Sequence, residues 1–121
     1  MLRSRLTTVV GVETVTLAQS ADRVAAQDIS AARANPPLPN TAVDGYGFAG
    51  GRAEGLHRLP LVAGRAAAGD ALAKVPEGHA IRVLTGAALP QGVDTVILQE
   101  DVAATDAAIT FNGPLKRGAN A

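Results

Sequence analysis

The segment 40–46 holds the residue whose type and setting are most suited to chemistry. Asp44 stands in a loop directly before Gly45, and glycine allows a positive φ angle and so a sharp turn of the backbone. Such a turn can direct a carboxylate outward, toward a ligand or a metal ion. The alternative is an Asx-turn, in which Asp44 bonds only its own backbone, and Asp-Gly is a common turn dipeptide.

Two further segments place polar groups at the ends of predicted strands. The hydroxyl of Thr85 and the N–H groups next to Gly86 could cradle an anion, or Thr85 could simply cap a turn. Glu100 and Asp101 are adjacent acids that offer the oxygen ligands preferred by Mg²⁺. They could equally form a solvated edge that opposes aggregation between strands.

Other kinds of site find less support. His57 and His79 have no partners at the spacing of a metal site, so we interpret both as histidines of surface loops. The chain has no cysteine, which excludes disulfides, cysteine-based zinc sites, iron–sulfur clusters and cysteine nucleophiles. Neither a phosphate-binding loop of the Gly-x4-Gly-Lys type nor a Gly-x-Ser-x-Gly elbow is present.

The elements that must position these residues are mostly strands. A capping box at Thr16 and Gln19 predicts one amphipathic helix over 17–27. Runs of apolar and β-branched residues predict a strand or extended chain over 6–15. They predict strands over 59–68, 80–84, 95–98 and 108–111, with the last closed by Asn112-Gly113-Pro114. The intervening stretch 35–51 has closely spaced prolines and glycines, which predicts a shaped loop and a boundary between two lobes.

Composition narrows the class of partner. The 121 residues include 11 basic and 11 acidic side chains, so the formal net charge is zero. A protein that grips nucleic acid needs a basic excess or a basic stripe, so we expect no nucleic-acid partner. No apolar run is long enough to span a bilayer and no signal peptide is evident, so we expect a soluble cytoplasmic protein without a membrane partner.

The order and spacing of several segments resemble the MoeA/gephyrin-E family. LAQSADRVAAQDI at 17–29 is similar to the family's opening helix segment, and NPPLPNTAVDGYGF at 35–48 to its Pro-Pro…Asp-Gly-Tyr signature. AIRVLTGAALPQGVDTVILQED at 80–101 resembles its Arg-Ile-x-Thr-Gly-Ala…Leu-Pro-x-Gly-Ala-Asp segment nearly position for position. Shorter likenesses lie at 63–69 and 114–121.

The resemblance implies a fold and an activity. The fold is mainly β with one short helix and is built of bifurcated, coiled sheets. Residues 1–40 would form the first part of a linker lobe and residues 41–111 an inserted β lobe. Residues 112–121 would return toward the linker lobe. The activity is that of a molybdopterin molybdotransferase, which inserts molybdate into adenylylated molybdopterin with Mg²⁺ and releases AMP. The family's dimers imply a homodimeric partner for this region.

The resemblance also implies residue roles. Asp44 and Thr85 would face the active cleft as catalytic residues, with Gly45, Tyr46 and Gly86 binding the cofactor. Asp44 and, less strongly, Glu100 would hold Mg²⁺. Replacements at Leu38, Thr41 and Val43 are conservative departures from the family pattern.

The family's Thr-Gly-Asp-Glu and Ser-Gly-Gly segments of the catalytic domain, and its C-terminal β domain, do not appear in this sequence. We therefore expect this chain to be inactive alone and to close a cleft completed by a catalytic domain. Two alternatives are open: a non-catalytic scaffold module of the same fold, and an unrelated β protein. The unrelated protein would leave Asp44 and Thr85 far apart.

Overall fold

The computed structural model describes residue 7 and residues 9–121, which divide into two units, 1–32 and 33–121. The division at 32/33 is an observed property of the chain, whereas the assignment of 1–40 and 112–121 to a linker lobe stays a prediction. Over the described part of the chain, no helix combines the length and the apolar character needed to cross a bilayer.

The first unit has little regular structure in its described part. A single 3-10 turn, Leu17–Gln19, replaces the predicted helix over 17–27. The side chain of Gln19 does accept hydrogen bonds from the backbone and the hydroxyl of Thr16, at 3.3 and 2.9 Å. Asp22, however, takes a left-handed φ of 61°, which interrupts a right-handed helix.

The helix prediction was wrong for a tertiary reason as well. Residues 16–32 are all exposed, and a short helix in water depends on packing of its apolar face. For 6–15 the prediction was a strand or extended chain, and the strand alternative is wrong in the described part, because residues 9–15 form no strand. Residues 6 and 8 of that prediction lie outside the described residues.

The second unit is a mixed six-stranded sheet in the order β4-β1-β3-β2-β6-β5. Its strands are β1 Gly45–Phe48, β2 Arg52–Ala66, β3 Ala80–Val83, β4 Thr95–Leu98, β5 Ala103–Ala104 and β6 Ala108–Leu115, with a 3-10 turn at Gln99–Asp101. The mainly β prediction is confirmed. The strands predicted over 80–84 and 95–98 match β3 and β4 closely.

Three details of the sequence prediction change. β1 lies inside the stretch predicted to be loop, and β2 begins at Arg52, seven residues before the strand predicted over 59–68. β6 runs through the expected stop at Asn112-Gly113-Pro114, because this part pairs with the early half of β2. The Cβ of any larger residue at Gly113 would lie 1.9 Å from the Ala53 carbonyl oxygen, so glycine here permits close pairing.

The long strand β2 joins two branches of the sheet. Its first half pairs antiparallel with β6, from Arg52 opposite Leu115 to Pro60 opposite Ala108. Its second half pairs parallel with β3, with Leu61 opposite Ala80 and an irregularity before the next partners. The change of partner along one strand is the bifurcation that was expected.

Two apolar clusters hold the sheet together. The first contains Tyr46, Phe48, Leu59, Ala80, Ile97, Ile109 and Phe111, and the second contains Ala66, Val75, Ile81, Val83, Ala87, Val93 and Val96. Members of the two clusters alternate along β3 and β4, so the clusters lie on opposite faces of the sheet. We call the face that carries the first cluster the aromatic face. The rings of Phe48 and Phe111 stack there at 5.6 Å between centroids.

The two histidines have local structural contacts. His57 lies in β2 rather than in a loop, against Phe111, and its Nε2 is 2.9 Å from the Ala53 carbonyl oxygen. The loop interpretation of His57 was therefore wrong. His79 lies in a turn with Nδ1 3.2 Å from the Glu77 carbonyl oxygen, which confirms the loop interpretation for that residue.

Candidate functional site

The sheet register brings Asp44 and Thr85 together. β1 and β3 are antiparallel neighbours with Gly45 opposite Val83, so the residue before β1 meets the residues that follow β3. The Oδ1 atom of Asp44 accepts hydrogen bonds from the backbone N–H and the hydroxyl of Thr85, both at 2.7 Å. This arrangement differs from an Asx-turn, since the carboxylate bonds a residue 41 positions away.

These contacts favour the ionised form of Asp44. The backbone hydrogen bond from Thr85, then its hydroxyl, lower the pKa of Asp44 below its ordinary value. Partial burial acts in the opposite sense, and the positive charge of Arg82 lowers the pKa further. Hydrogen bonds from both donors stabilise the charged form of the carboxyl. The site therefore presents a negative carboxylate at neutral pH.

The loop at Thr85-Gly86 has the backbone form expected of an anion cradle, but its donors are used within the chain. Gly86 has a φ of 81°, and its N–H donates to the Thr41 carbonyl oxygen at 2.9 Å. The N–H of Thr85 points to Asp44. The anion bound by this loop in the structure is thus the carboxylate of Asp44.

Gly45 serves a different purpose from the one expected. It has no positive φ, and the predicted sharp turn at this glycine is wrong. A Cβ at this position would lie 1.9 Å from the Ile97 carbonyl oxygen. Glycine is therefore needed for the close approach of β1 to β4, which sets the place of Asp44.

A polar network extends from Tyr46 along the same edge. Arg82 is opposite Tyr46 in the β1–β3 register, and its guanidinium lies 5.8 Å from the centre of the Tyr46 ring. The same group donates to the Tyr46 hydroxyl at 3.4 Å and to Oε1 of Gln99 at 2.9 Å. The Gln99 amide donates to Glu100 at 3.2 Å.

Sequence reasoning missed Arg82 and Gln99 as members of this site. The alternation of Ala80-Ile-Arg-Val83 does contain a usable signal, because Arg82 shares a face with buried Ala80. What the sequence alone lacks is the pairing of β3 with β1. That pairing places Arg82 beside Tyr46. The pairing of β1 with β4, equally absent from the sequence, places the N–H of Gln99 3.1 Å from the Asp44 carbonyl oxygen.

The predicted Mg²⁺ residues do not by themselves form a full metal site. Over residues 7 and 9–121 no group of three or more His, Cys, Asp or Glu side chains is arranged to hold a metal ion. Both hydrogen bonds from Thr85 end on Oδ1 of Asp44, and no other described residue bonds Oδ2. One carboxylate oxygen fits Mg²⁺, which commonly uses one or two carboxylates together with substrate phosphates and water.

Comparison with known proteins agrees with this architecture. The model of the MoeA N-terminal region (domain I and II) matches residues 1–121. The chain is 38% identical over 104 residues to the molybdopterin molybdenumtransferase of Haemophilus influenzae, covering 83% of this chain and 25% of that protein. It is 35% identical over 114 residues to the enzyme of the same name from Synechococcus elongatus, covering 88% and 28%.

Solved structures give the same result for the fold. A crystal structure of the molybdopterin biosynthesis MoeA protein of Pyrococcus horikoshii superimposes with a TM-score of 0.67 and 35% identity, over 89% of this chain and 30% of that one. The chain thus spans between a quarter and three-tenths of the length of these relatives. The expectation of a MoeA-like N-terminal fold is confirmed, and the chain belongs to the family of MoeA N-terminal regions.

Proposed function

We propose that this chain acts in molybdenum cofactor biosynthesis as one wall of the site where molybdate is inserted into adenylylated molybdopterin with release of AMP. Two of its relatives are named molybdopterin molybdenumtransferases. The observation that carries the proposal is the bonding of Asp44 to Thr85, since it holds an ionised carboxylate at a solvent-accessible strand edge. We also propose a cytoplasmic location.

In this proposal Asp44 and Thr85 position the reacting groups. Thr85 directs its hydroxyl hydrogen to Asp44, so the remaining lone pairs of its oxygen face away from that bond as acceptors. Asp44 is held in one rotamer by two donors from the neighbouring loop. Fixed groups of this kind contribute to rate by orienting substrate atoms, provided the rest of the cleft supplies the opposite wall.

Mg²⁺ would be held by Oδ2 of Asp44 together with substrate phosphates, with Glu100 as a further carboxylate on the same edge. The bound cation would supply neutralisation of phosphate charge. Gly45, Tyr46 and Gly86 would border the cofactor. The two glycines would do so as the neighbours of Asp44 and Thr85, and Tyr46 through its hydroxyl, which already accepts a bond from Arg82.

The opposite wall must come from another part of the protein. Within the described residues the polar groups of this edge form one exposed side rather than an enclosed cleft. We propose that a catalytic domain, in a homodimer, closes the cleft over this edge.

The test measures molybdate-dependent AMP release from adenylylated molybdopterin. The chain is assayed alone and after mixing with a family member from which the matching N-terminal region has been removed. We expect activity only in the mixture, and its loss with Asp44→Asn or Thr85→Ala. Asp70→Asn is the matched control, because Asp70 also accepts a backbone hydrogen bond, from Ala67, but in an exposed turn.

The second candidate is a scaffold of the same fold without a catalytic part. It is favoured if the mixture assembles and is active while Asp44→Asn leaves the rate of AMP release unchanged. The third reading, an unrelated β protein, is already contradicted because Asp44 and Thr85 are in direct contact.

A further inference from the structure

Two arginines stand side by side on neighbouring strands next to this site. Arg65 of β2 and Arg82 of β3 are direct partners in the parallel register, and both are exposed. Directly opposed side chains on adjacent strands project from the same face of a sheet. Arg82 in turn is opposite Tyr46, so the row Tyr46–Arg82–Arg65 crosses three strands.

The burial of neighbouring residues confirms which face this is. Ala66 and Val83 follow the two arginines and belong to the apolar cluster on the other face. Arg65 and Arg82 therefore project from the aromatic face, the face of Tyr46. Just before Arg65 the β2–β3 register is irregular and Gly64 has a φ of 90°. Bulges of this kind re-aim the side chains that follow them.

Neither Arg65 nor Arg82 forms an ion pair within the described residues, although the charge of Arg82 does act on the nearby Asp44 carboxylate. Among residues 7 and 9–121 the ion pairs are Arg23–Glu13 and Arg117–Asp94, and neither involves Arg65 or Arg82. Like charges directly opposite each other on neighbouring strands are destabilising. The repulsion between Arg65 and Arg82 lies beside the ionised Asp44, where the positive charges would act on a bound substrate.

The guanidinium of Arg82 is already oriented. Gln99 and the Tyr46 hydroxyl each accept a hydrogen bond from this guanidinium. A guanidinium has five N–H groups, so others remain that can donate to a ligand. The backbone donors of Thr85 and Gly86 are bonded within the chain. The arginines are consequently the donors on this edge that can bind an incoming anion.

We propose that Arg65 and Arg82 together form a binding subsite for a tetrahedral oxyanion, either a phosphate group or molybdate. The inference deepens the proposed function and rests on it for the source of the anion. Arginine suits this role because its planar fork gives two parallel hydrogen bonds to such an oxyanion. Arg65 adds the second positive charge.

The experiment is an NMR titration of the full chain with inorganic pyrophosphate and, separately, with sodium molybdate. Arg65→Gln and Arg82→Gln are compared with Arg58→Gln as the matched control. Arg58 lies in the same strand and is exposed, but its partner is Thr110. Thermal unfolding without ligand verifies that each variant is folded.

We expect at least one of the two anions to shift amides of β3 and the 85–86 loop. Arg65→Gln and Arg82→Gln should each weaken that binding about tenfold, and Arg58→Gln should not. Without ligand, Arg65→Gln should be as stable as the parent chain or more so, because a repulsion is removed. The anion whose binding weakens in Arg65→Gln and Arg82→Gln, pyrophosphate or molybdate, is the one that the subsite binds.

Binding of neither anion, or an equal loss with Arg58→Gln, overturns the subsite. Direct titration keeps this result separate from the AMP-release assay. If the mixture with the parent chain releases no AMP while anion binding depends on Arg65 and Arg82, the proposed function alone is contradicted. If that mixture releases AMP while the parent chain binds neither anion, the subsite alone is contradicted.

Discussion

Asp44 and Thr85 are 41 positions apart, yet one carboxylate oxygen of Asp44 lies 2.7 Å from both the nitrogen and the hydroxyl oxygen of Thr85. The two donors sit on the loop that follows β3, and the acceptor sits directly before β1. The antiparallel pairing of those strands therefore sets the position of the carboxylate. The same contact lowers the pKa of Asp44, since hydrogen bonds to a carboxylate favour the ionised form.

We expect Thr85→Ala to raise the pKa of Asp44 toward its ordinary value, because the hydroxyl donor is lost while the backbone donor remains. Thr85→Ser retains a hydroxyl and should keep the pKa low. The Asp44 carboxyl carbon, followed by NMR as a function of pH, measures this directly. An unchanged Asp44 titration in Thr85→Ala would show that the side-chain bond does not form in solution.

Asp94 should contribute stability that depends on pH. Burial raises the pKa of Asp94, but hydrogen bonds from Thr95, Gly50 and Arg117 together lower it below its ordinary value. A carboxyl whose pKa is lower in the folded state stabilises the fold above its unfolded pKa. That stability is lost as the pH falls through the folded pKa.

Asp94→Asn should therefore lower the free energy of unfolding by about 1 kcal/mol at neutral pH. The effect is modest because the Arg117 side chain, one of the partners of Asp94, is exposed to solvent. The difference from the parent chain should vanish in acid. Urea unfolding at a series of pH values measures both effects, and a constant difference down to strongly acid pH would contradict the assignment. Asp106→Asn, on an exposed carboxylate, is the control.

Gly45→Ala should disrupt the pairing of β1 with β4. The added Cβ would lie 1.9 Å from the Ile97 carbonyl oxygen, and such overpacking costs about 3 kcal/mol or more when backbone must move. Gly11→Ala is the matched control, since nothing lies within 4 Å of its added Cβ, and it should change stability by less than about 0.5 kcal/mol. Equal stabilities of the two variants would show that β1 and β4 do not approach as described.

The residues after β6 should protect the outer edge of β4. The N–H of Val96 donates to the Ala119 carbonyl oxygen at 2.9 Å, and the Asn120 side chain donates to the Val96 carbonyl oxygen at 3.1 Å. Asn120 also has a φ of 54°, a conformation that asparagine tolerates better than alanine. Asn120→Ala should cost about 1–2 kcal/mol.

The measurement for this edge is hydrogen exchange of the Val96 amide, which should speed up in Asn120→Ala. Asn120→Gly keeps the backbone conformation and removes only the side-chain bond, so its loss should be smaller. Unaltered exchange at Val96 in both variants would mean that the edge is protected by something other than this segment.

The sequence by itself determined several features of this protein. Short runs of apolar and β-branched residues predicted β3 and β4 closely, because a strand with buried positions on both faces leaves a local signature in residue types. The spacing of Asp44, Thr85 and the segments around them was sufficient to place the chain in its family. The glycines beside Asp44 and Thr85 were also recognised as unusual, although the reason given for Gly45 was wrong.

The tertiary structure decided the rest, because pairing between distant segments has no local signature. The capping box at Thr16 and Gln19 formed as predicted, yet no helix followed, since residues 16–32 found nothing to bury against within their own unit. β6 extended through Pro114 because β2 offered a partner there. Arg82 became part of the site, and a direct neighbour of Arg65, only through the register of three strands. Local residue types set which segments favour strands, but the contacts that assemble a site are set by which strands pair, and that depends on the packing of the whole sheet.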